Sequence, residues 1–168
     1  MQKLPYRPIL KLPKTKFEKI MDILGLAIFT GAILYLIVHW TDIPDRIPAH
    51  FNWDGEVDRW GSKVELIILP CIGLFLFIFL SLLEKAPHMH NYPHRLNEAN
   101  VKQFYLNSRK MLNAIKNICL AMFAFILIKM VRVSLGKIDS LGIWILPIVI
   151  IAVTATMVIG IYKQSKIV

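Results

Sequence analysis

The stretch that decides the fold is residues 20–40, IMDILGLAIFTGAILYLIVHW, an apolar run with one charged residue, Asp22. Three similar runs follow at residues 64–83, 115–133 and 141–162. Each has about twenty residues, which as a helix with a rise of 1.5 Å per residue matches the roughly 30 Å hydrocarbon core of a bilayer. Because backbone N–H and C=O groups find no water inside lipid, these runs are predicted to be transmembrane helices.

Composition supports this prediction. Hydrophobic residues make up 56% of the 168 positions, charged residues make up 18%, and the mean hydropathy is +0.55. A soluble domain carries about 25% charged residues. We therefore predict an all-α integral membrane protein that forms a single domain over residues 1–168. The first apolar run is longer than the apolar core of a signal peptide, so it is expected to remain as an anchor.

The distribution of charge predicts the orientation. The net charge is +9, and the two termini together with the loop at 84–114 carry +10, whereas the other side carries −1. By the positive-inside rule both termini and this inner loop are cytoplasmic, and the outer loop at 41–63 faces outward. The transmembrane topology accounts for the excess of positive charge, so the expected partner is the lipid bilayer and not nucleic acid. The four tryptophans then all fall on the outer side, where indole rings favour the interface: Trp40, Trp53, Trp60 and Trp144.

Local patterns add detail inside the membrane. Apolar residues recur every three or four positions between Val101 and Ile115, which predicts an amphipathic inner helix, with Asn97 as its N-cap, that leads into the third span. Small residues four apart, Ala27 with Gly31 and Thr156 with Gly160, predict close helix contacts. The two cysteines, Cys71 and Cys119, lie in different spans at different depths and are expected to be unbridged.

The outer loop holds most of the candidate binding residues. A loop tied to a rigid scaffold is where binding and chemistry concentrate. Three interpretations stay open: a structural one, with a tight turn at Asp54-Gly55 and aromatic residues seating the loop on the helices; a ligand or partner site; and a calcium-like or zinc-like metal site. The candidate contacts in this loop are His50, Phe51, Asn52, Asp54, Gly55, Asp58, Trp60, Gly61 and Ser62.

Cations near the outer end of the third span are further candidates. Lys129 and Arg132 are three residues apart, and a charge at membrane depth is a functional-site hypothesis unless its long stem reaches the interface. We expect Glu56 or Asp58 to pair with one of them and to pin the loop over the bundle. On the inner side, His88, His90 and His94 form a modest metal pattern. No nucleophile, zinc-protease or phosphate-loop motif occurs, so the sequence calls for no catalytic residue and no cofactor.

The outer loop also carries a family resemblance. The pattern Ile47-Pro-x-His-Phe-Asn-x-x-Gly-x-x-Asp-x-Trp-Gly-Ser-Lys63 resembles a bacterial membrane domain family of unknown function, which forms the N-terminal part of Sdp-type toxin-immunity proteins. Residues 7–19, Asn91-Tyr-Pro93 and Asn97-Glu-x-Asn100 fit the same family. In the immunity proteins the resemblance implies resistance to a secreted peptide toxin and sequestration of a repressor at the membrane.

Three hypotheses for function follow. The first is a sensor or immunity-type binding protein of the bacterial cell membrane, whose outer loop binds a peptide, a lipid or an envelope partner. The second is a membrane-embedded metal-dependent enzyme or a small carrier with a polar site under that loop. The third is a subunit whose spans pack against another membrane protein or a second copy of the chain.

Overall fold

The computed structural model describes residues 6–168, and the order of its elements follows the four apolar runs. Helix α1 (Lys16–Val38) is followed by strands β1 (Arg46–Phe51) and β2 (Val57–Ser62), a 3-10 turn (Lys63–Ile67) and helix α2 (Ile68–Lys85). A second 3-10 turn (Pro87–Met89) precedes the long helix α3 (Val101–Ser134) and helix α4 (Ile145–Ser165). Four helical segments, the second including the 3-10 turn before α2, are long and apolar enough to cross a membrane, which is the architecture of a multi-pass membrane protein.

Helix α3 is the centre of the bundle, and the other three helices pack around it. The buried cluster joins α1 and α3, and it contains Phe29, Ala32, Leu36, Leu120, Ala124, Leu127 and Val131. Helix α4 is the most peripheral, with Gly160 as its buried residue. Hydrogen bonds from Tyr105 to the Pro8 carbonyl and from Arg95 to the Gln164 carbonyl place both chain ends at one end of the bundle, which we call the terminal end.

Of the two close helix contacts predicted from small residues, one is confirmed and the other is wrong. Gly160 is needed for close packing, because a Cβ built there would lie 2.5 Å from the Met111 sulfur on α3. Gly31 meets nothing within 4 Å, so the close contact predicted at Ala27 and Gly31 is wrong. The close approach on α1 occurs six residues earlier, at Gly25, where a Cβ would lie 2.1 Å from the Asn117 amide oxygen. Cys71 and Cys119 are free thiols, as expected.

Two features of the predicted fold are corrected. The chain is not entirely α-helical, because β1 and β2 of the outer loop, which was expected to be structured, pair as an antiparallel hairpin with register irregularities around His50. The amphipathic segment does run into the third span as one helix, but α3 begins at Val101 with Asn100 as its N-cap. Asn97 lies outside the helix, where its side chain accepts the backbone N–H groups of Ala99 and Asn100 at 2.9 and 3.2 Å.

Candidate functional site

The hairpin lies at the opposite end of the bundle from the chain ends and is fastened there by apolar residues. Ile47 of β1 is fully buried, and Ile43 and Leu66 join it in the cluster formed by α1 and α3. The Lys63 ammonium donates to the Ile43 carbonyl at 2.9 Å and lies 4.7 Å from the Trp40 ring. The side chains buried beneath the hairpin are apolar, and none of the buried polar or charged side chains within residues 6–168 belongs to the hairpin.

Backbone geometry explains two of the predicted loop residues. The Asn52 side chain accepts the N–H groups of Asp54 and Glu56 at 3.0 and 2.9 Å, which closes the tight turn. Gly55 has φ +79°, and a Cβ there would lie 2.8 Å from the backbone nitrogen of Gly142. The Gly55 carbonyl accepts the Leu141 N–H at 2.8 Å. The turn is thus joined directly to the connection between α3 and α4.

Side-chain contacts stabilise the hairpin and the turn that follows it. The His50 Nδ1 lies 2.6 Å from the Asp58 carboxylate across the hairpin, and Arg59 donates to Glu65 at 2.8 Å. The hydrogen bond that Arg59 donates to the Glu65 carboxylate raises the pKa of Arg59. Gly61 has no room for a side chain, because a Cβ would lie 2.0 Å from the Glu65 carboxylate.

The 3-10 turn that follows β2 has an N-terminal cap. Ser62 and Glu65 form a reciprocal capping box at the start of the 3-10 turn. The hairpin therefore enters α2 through a defined turn rather than a loose link.

The aromatic residues of the loop do not all seat it on the helices. Phe51 packs against the buried cluster, whereas Trp53 is 85% exposed and Trp60 is 53% exposed. The expected seating role is therefore correct for Phe51 and wrong for the two tryptophans. The hairpin presents two indole rings on a backbone that is held by buried residues.

The expected pairing of the loop with Lys129 or Arg132 is wrong. Asp58 pairs with His50, and in residues 6–168 no ion pair joins Glu56 or Asp58 to either cation. Lys129 lies 5.6 Å from the Phe125 ring and lines a groove of about 490 Å³ between α3 and α4. Lys129 is half-buried and Arg132 is exposed, and neither is paired with a carboxylate of the hairpin.

The inner loop is ordered by hydrogen bonds. The two ring nitrogens of His90 lie 2.6 Å from the Ser108 hydroxyl and 3.0 Å from the Leu83 carbonyl, and burial lowers the pKa of this residue. Burial also raises the pKa of Tyr92 to about 12, and its hydroxyl donates to the Pro87 carbonyl. Over the described part of the chain, no three His, Cys, Asp or Glu side chains come together in a way that could hold a metal ion.

A buried ion pair at the terminal end was missed by sequence reasoning. Glu18 of α1 is fully buried, and the Arg109 guanidinium of α3 donates to its two oxygens at 2.6 and 3.0 Å. The same guanidinium donates to the carbonyls of Leu12 and Pro13 at 2.6 and 2.8 Å. It therefore also holds residues 7–14, which we call the strap, against the bundle.

A second group of charges, the ionic centre, lies beside this pair and consists of Asp22, Glu84 and Lys116. The fully buried Lys116 ammonium lies 2.9 Å from Asp22, 2.6 Å from Glu84 and 3.1 Å from the Ser81 hydroxyl. The Asn113 amide donates to both carboxylates, at 2.8 and 3.2 Å. Charges at this depth are costly, so such a network is a functional-site hypothesis by default.

The strap completes the ionic centre. The Lys14 ammonium lies 2.5 Å from Asp22 and 3.4 Å from Glu84. Burial disfavours the charged form of Lys14, but the hydrogen bond to Asp22 and the charge of Glu84 outweigh it and raise its pKa. A signal for this network exists in the sequence: Arg109, Asn113, Lys116 and Asn117 follow helical spacing and form one polar stripe on α3.

Comparison with known proteins agrees with this architecture. Residues 27–74, which cover the second half of α1, the hairpin and the start of α2, match the model of a domain of unknown function (DUF1648). A membrane domain of unknown function fits this match. An uncharacterized protein of Archaeoglobus fulgidus is 30% identical over 101 residues, which are 59% of this chain and 54% of the relative. The chain thus spans about half the length of that curated relative, and no solved structure matches.

Proposed function

We propose that the protein is a sensor or immunity-type binding protein of the bacterial cell membrane, whose hairpin binds a peptide on the outer side. The observation that carries the proposal is the pair of exposed indole rings, Trp53 and Trp60, on a hairpin fixed by buried residues. Tryptophan and arginine are enriched among the residues that dominate binding energy, and Arg59 lies between the two rings in sequence.

A peptide suits the hairpin for two reasons. The sheet has two strands, so the outer edge of β2 offers backbone groups to an extended peptide. The backbone is held in advance by the buried Ile47 and by the His50–Asp58 pair, so little conformational entropy is lost on binding. The charge asymmetry of +10 against −1 supports the outward orientation.

The connections of the hairpin support a sensing role. Its turn is hydrogen-bonded to the start of the α3–α4 connection through Gly55 and Leu141, and its base packs on α1 and α3. A partner that shifts the hairpin would therefore act on three helices at once. The described contacts supply a continuous path from the hairpin into the bundle.

A peptide-display experiment tests the binding function. The protein in lipid nanodiscs is panned against a random peptide library, with empty nanodiscs as counter-selection. Enriched peptides are expected to bind Trp53→Ala and Trp60→Ala at least about ten-fold more weakly than the wild type, since a dominant contact is worth roughly 2 kcal/mol or more. Trp144→Ala is the matched control, because Trp144 is also exposed but precedes α4 outside the hairpin. Equal binding by all three variants, or no enrichment over empty nanodiscs, would reject the proposal.

The immunity-type role has its own test. Expression of the chain in a bacterium that is sensitive to an Sdp-type peptide toxin should raise survival. Asp58→Ala should abolish that protection without lowering the amount of protein in the membrane, because it frees His50 and alters the hairpin surface. Survival that is unchanged by expression would leave peptide binding standing and remove the immunity role.

A further inference from the structure

The ionic centre is not balanced by the helices alone. Asp22 and Glu84 supply two negative charges, and Lys116 supplies one positive charge from within the bundle. The remaining negative charge is met by Lys14, which belongs to the strap and directly precedes Thr15, the N-cap of α1. The four helices therefore contain a site for one further positive charge, and the strap fills it from outside.

One oxygen of this site is short of a donor. Glu84 is 1% exposed, yet within residues 6–168 its Oε2 has no hydrogen-bond partner, and the Lys14 ammonium is 3.4 Å away. A buried acceptor without a donor is costly, and more so when the acceptor is charged. Glu84 and Lys14 both line a cavity of about 550 Å³ between the strap and the inner end of α2. The open acceptor position therefore has space beside it.

The charge of the site selects the class of ligand. The Lys116 ammonium contacts Asp22 Oδ1 and Glu84 Oε1, so Asp22 Oδ2 and Glu84 Oε2 are the oxygens that remain for a second cation. A singly charged ammonium group neutralises the remaining negative charge, whereas a divalent metal ion would leave one positive charge in excess. An ammonium group also carries three N–H donors, as Lys14 itself does.

We propose that Asp22 and Glu84 form a binding site for a primary ammonium group from the aqueous phase at the terminal end, and that the Lys14 side chain occupies this site when no ligand is bound. The strap is the segment that moves when a ligand replaces the Lys14 side chain. It is held to the bundle by the Arg109 hydrogen bonds to the Leu12 and Pro13 carbonyls, which do not involve the ammonium site. This inference does not depend on the hairpin or on the orientation of the chain.

Chemical rescue of a variant without the Lys14 ammonium tests the site. Thermal unfolding of Lys14→Ala in detergent micelles is followed as ethylammonium chloride is added, with tetramethylammonium chloride at equal ionic strength as the ion without N–H donors. Ethylammonium is expected to raise the unfolding temperature of Lys14→Ala by several degrees and to saturate, as a ligand of the folded state does. The wild type and Lys11→Ala, in which an exposed lysine of the same strap is removed, keep Lys14 as a competitor, so ethylammonium should stabilise them less than Lys14→Ala at every concentration. An equal effect of the two salts on Lys14→Ala would overturn the proposal.

The wild-type protein provides a second measurement that does not require the variant to fold. Backbone hydrogen exchange of residues 9–14 is measured by mass spectrometry in each salt. Ethylammonium should displace Lys14 and speed exchange in the strap, while tetramethylammonium should not. Exchange that is identical in the two salts over the whole concentration range would overturn the proposal.

Discussion

The buried pair of Glu18 and Arg109 makes a quantitative prediction. Their side chains are 0% and 5% exposed, and two hydrogen bonds of 2.6 and 3.0 Å join them. Removing one partner leaves a buried charge without its counter-ion, which costs about 3–5 kcal/mol. Arg109→Gln and Glu18→Gln should each lower the free energy of unfolding by about that amount. In a chain of this size each kcal/mol corresponds to about 2–4 °C, so the unfolding temperature should fall by at least about 6 °C.

The double variant distinguishes a true pair from two independent effects. Because the second substitution removes a charge that has already lost its partner, the double variant should be clearly less damaged than the sum of the single variants. Lys110→Gln is the matched control: this neighbouring lysine is exposed and should change stability by about 0.5 kcal/mol or less. Thermal unfolding in detergent, followed by circular dichroism, is measured for the wild type and all four variants. Single variants that match Lys110→Gln, or strictly additive losses, would refute the reasoning.

Three further predictions concern the hairpin, the inner loop and the orientation. Gly55→Ala should destabilise the protein by more than Gly136→Ala. Both positions have positive φ, with a strain of roughly 1–2 kcal/mol for an added Cβ, but a Cβ at Gly55 would also clash with the Gly142 backbone, whereas a Cβ at Gly136 would meet nothing within 4 Å. Equal unfolding temperatures would contradict this. Burial lowers the pKa of His90 below its usual 6.5, so the unfolded chain takes up a proton at this residue first, and stability should fall as the pH drops below about 6.5, by up to about 1.4 kcal/mol per pH unit. His90→Gln should remove this component of a pH series of thermal unfolding curves and the exposed His94→Gln should keep it; an unchanged slope in His90→Gln would show that another group is responsible. A cysteine introduced as Glu56→Cys should react with a membrane-impermeant thiol reagent on intact cells, above the background of the two native cysteines, whereas Lys102→Cys should react only after permeabilisation; the reverse pattern would invert the proposed orientation.

The hairpin shows how far local patterns reach. Two strand segments flank a turn that contains Asp54-Gly55, and Asp-Gly between apolar segments is a strong hairpin signal. Alternation in the flanking segments is weak, because register irregularities around His50 break the period of two. The roles of Gly55 and Asn52 in shaping the turn follow from residue type, so they were open to prediction. The exposure of Trp53 was not, since it depends on where the hairpin rests.

The sequence alone determined three properties, because each depends only on which residues are neighbours along the chain. These are the four helices that are long and apolar enough to cross a membrane, the continuity of the amphipathic segment with the third span, and the asymmetry of charge. The partners of the polar residues were decided by tertiary structure. Glu18 and Arg109 are 91 positions apart, and Asp22 and Asn117 are 95 apart. Along the chain each of them is only one charge or amide on its own helix, and packing of the helices brings them together. The hydrophobic pattern is strong enough to form the helices, but only their contact decides that these charges are buried together and not exposed at the membrane surface.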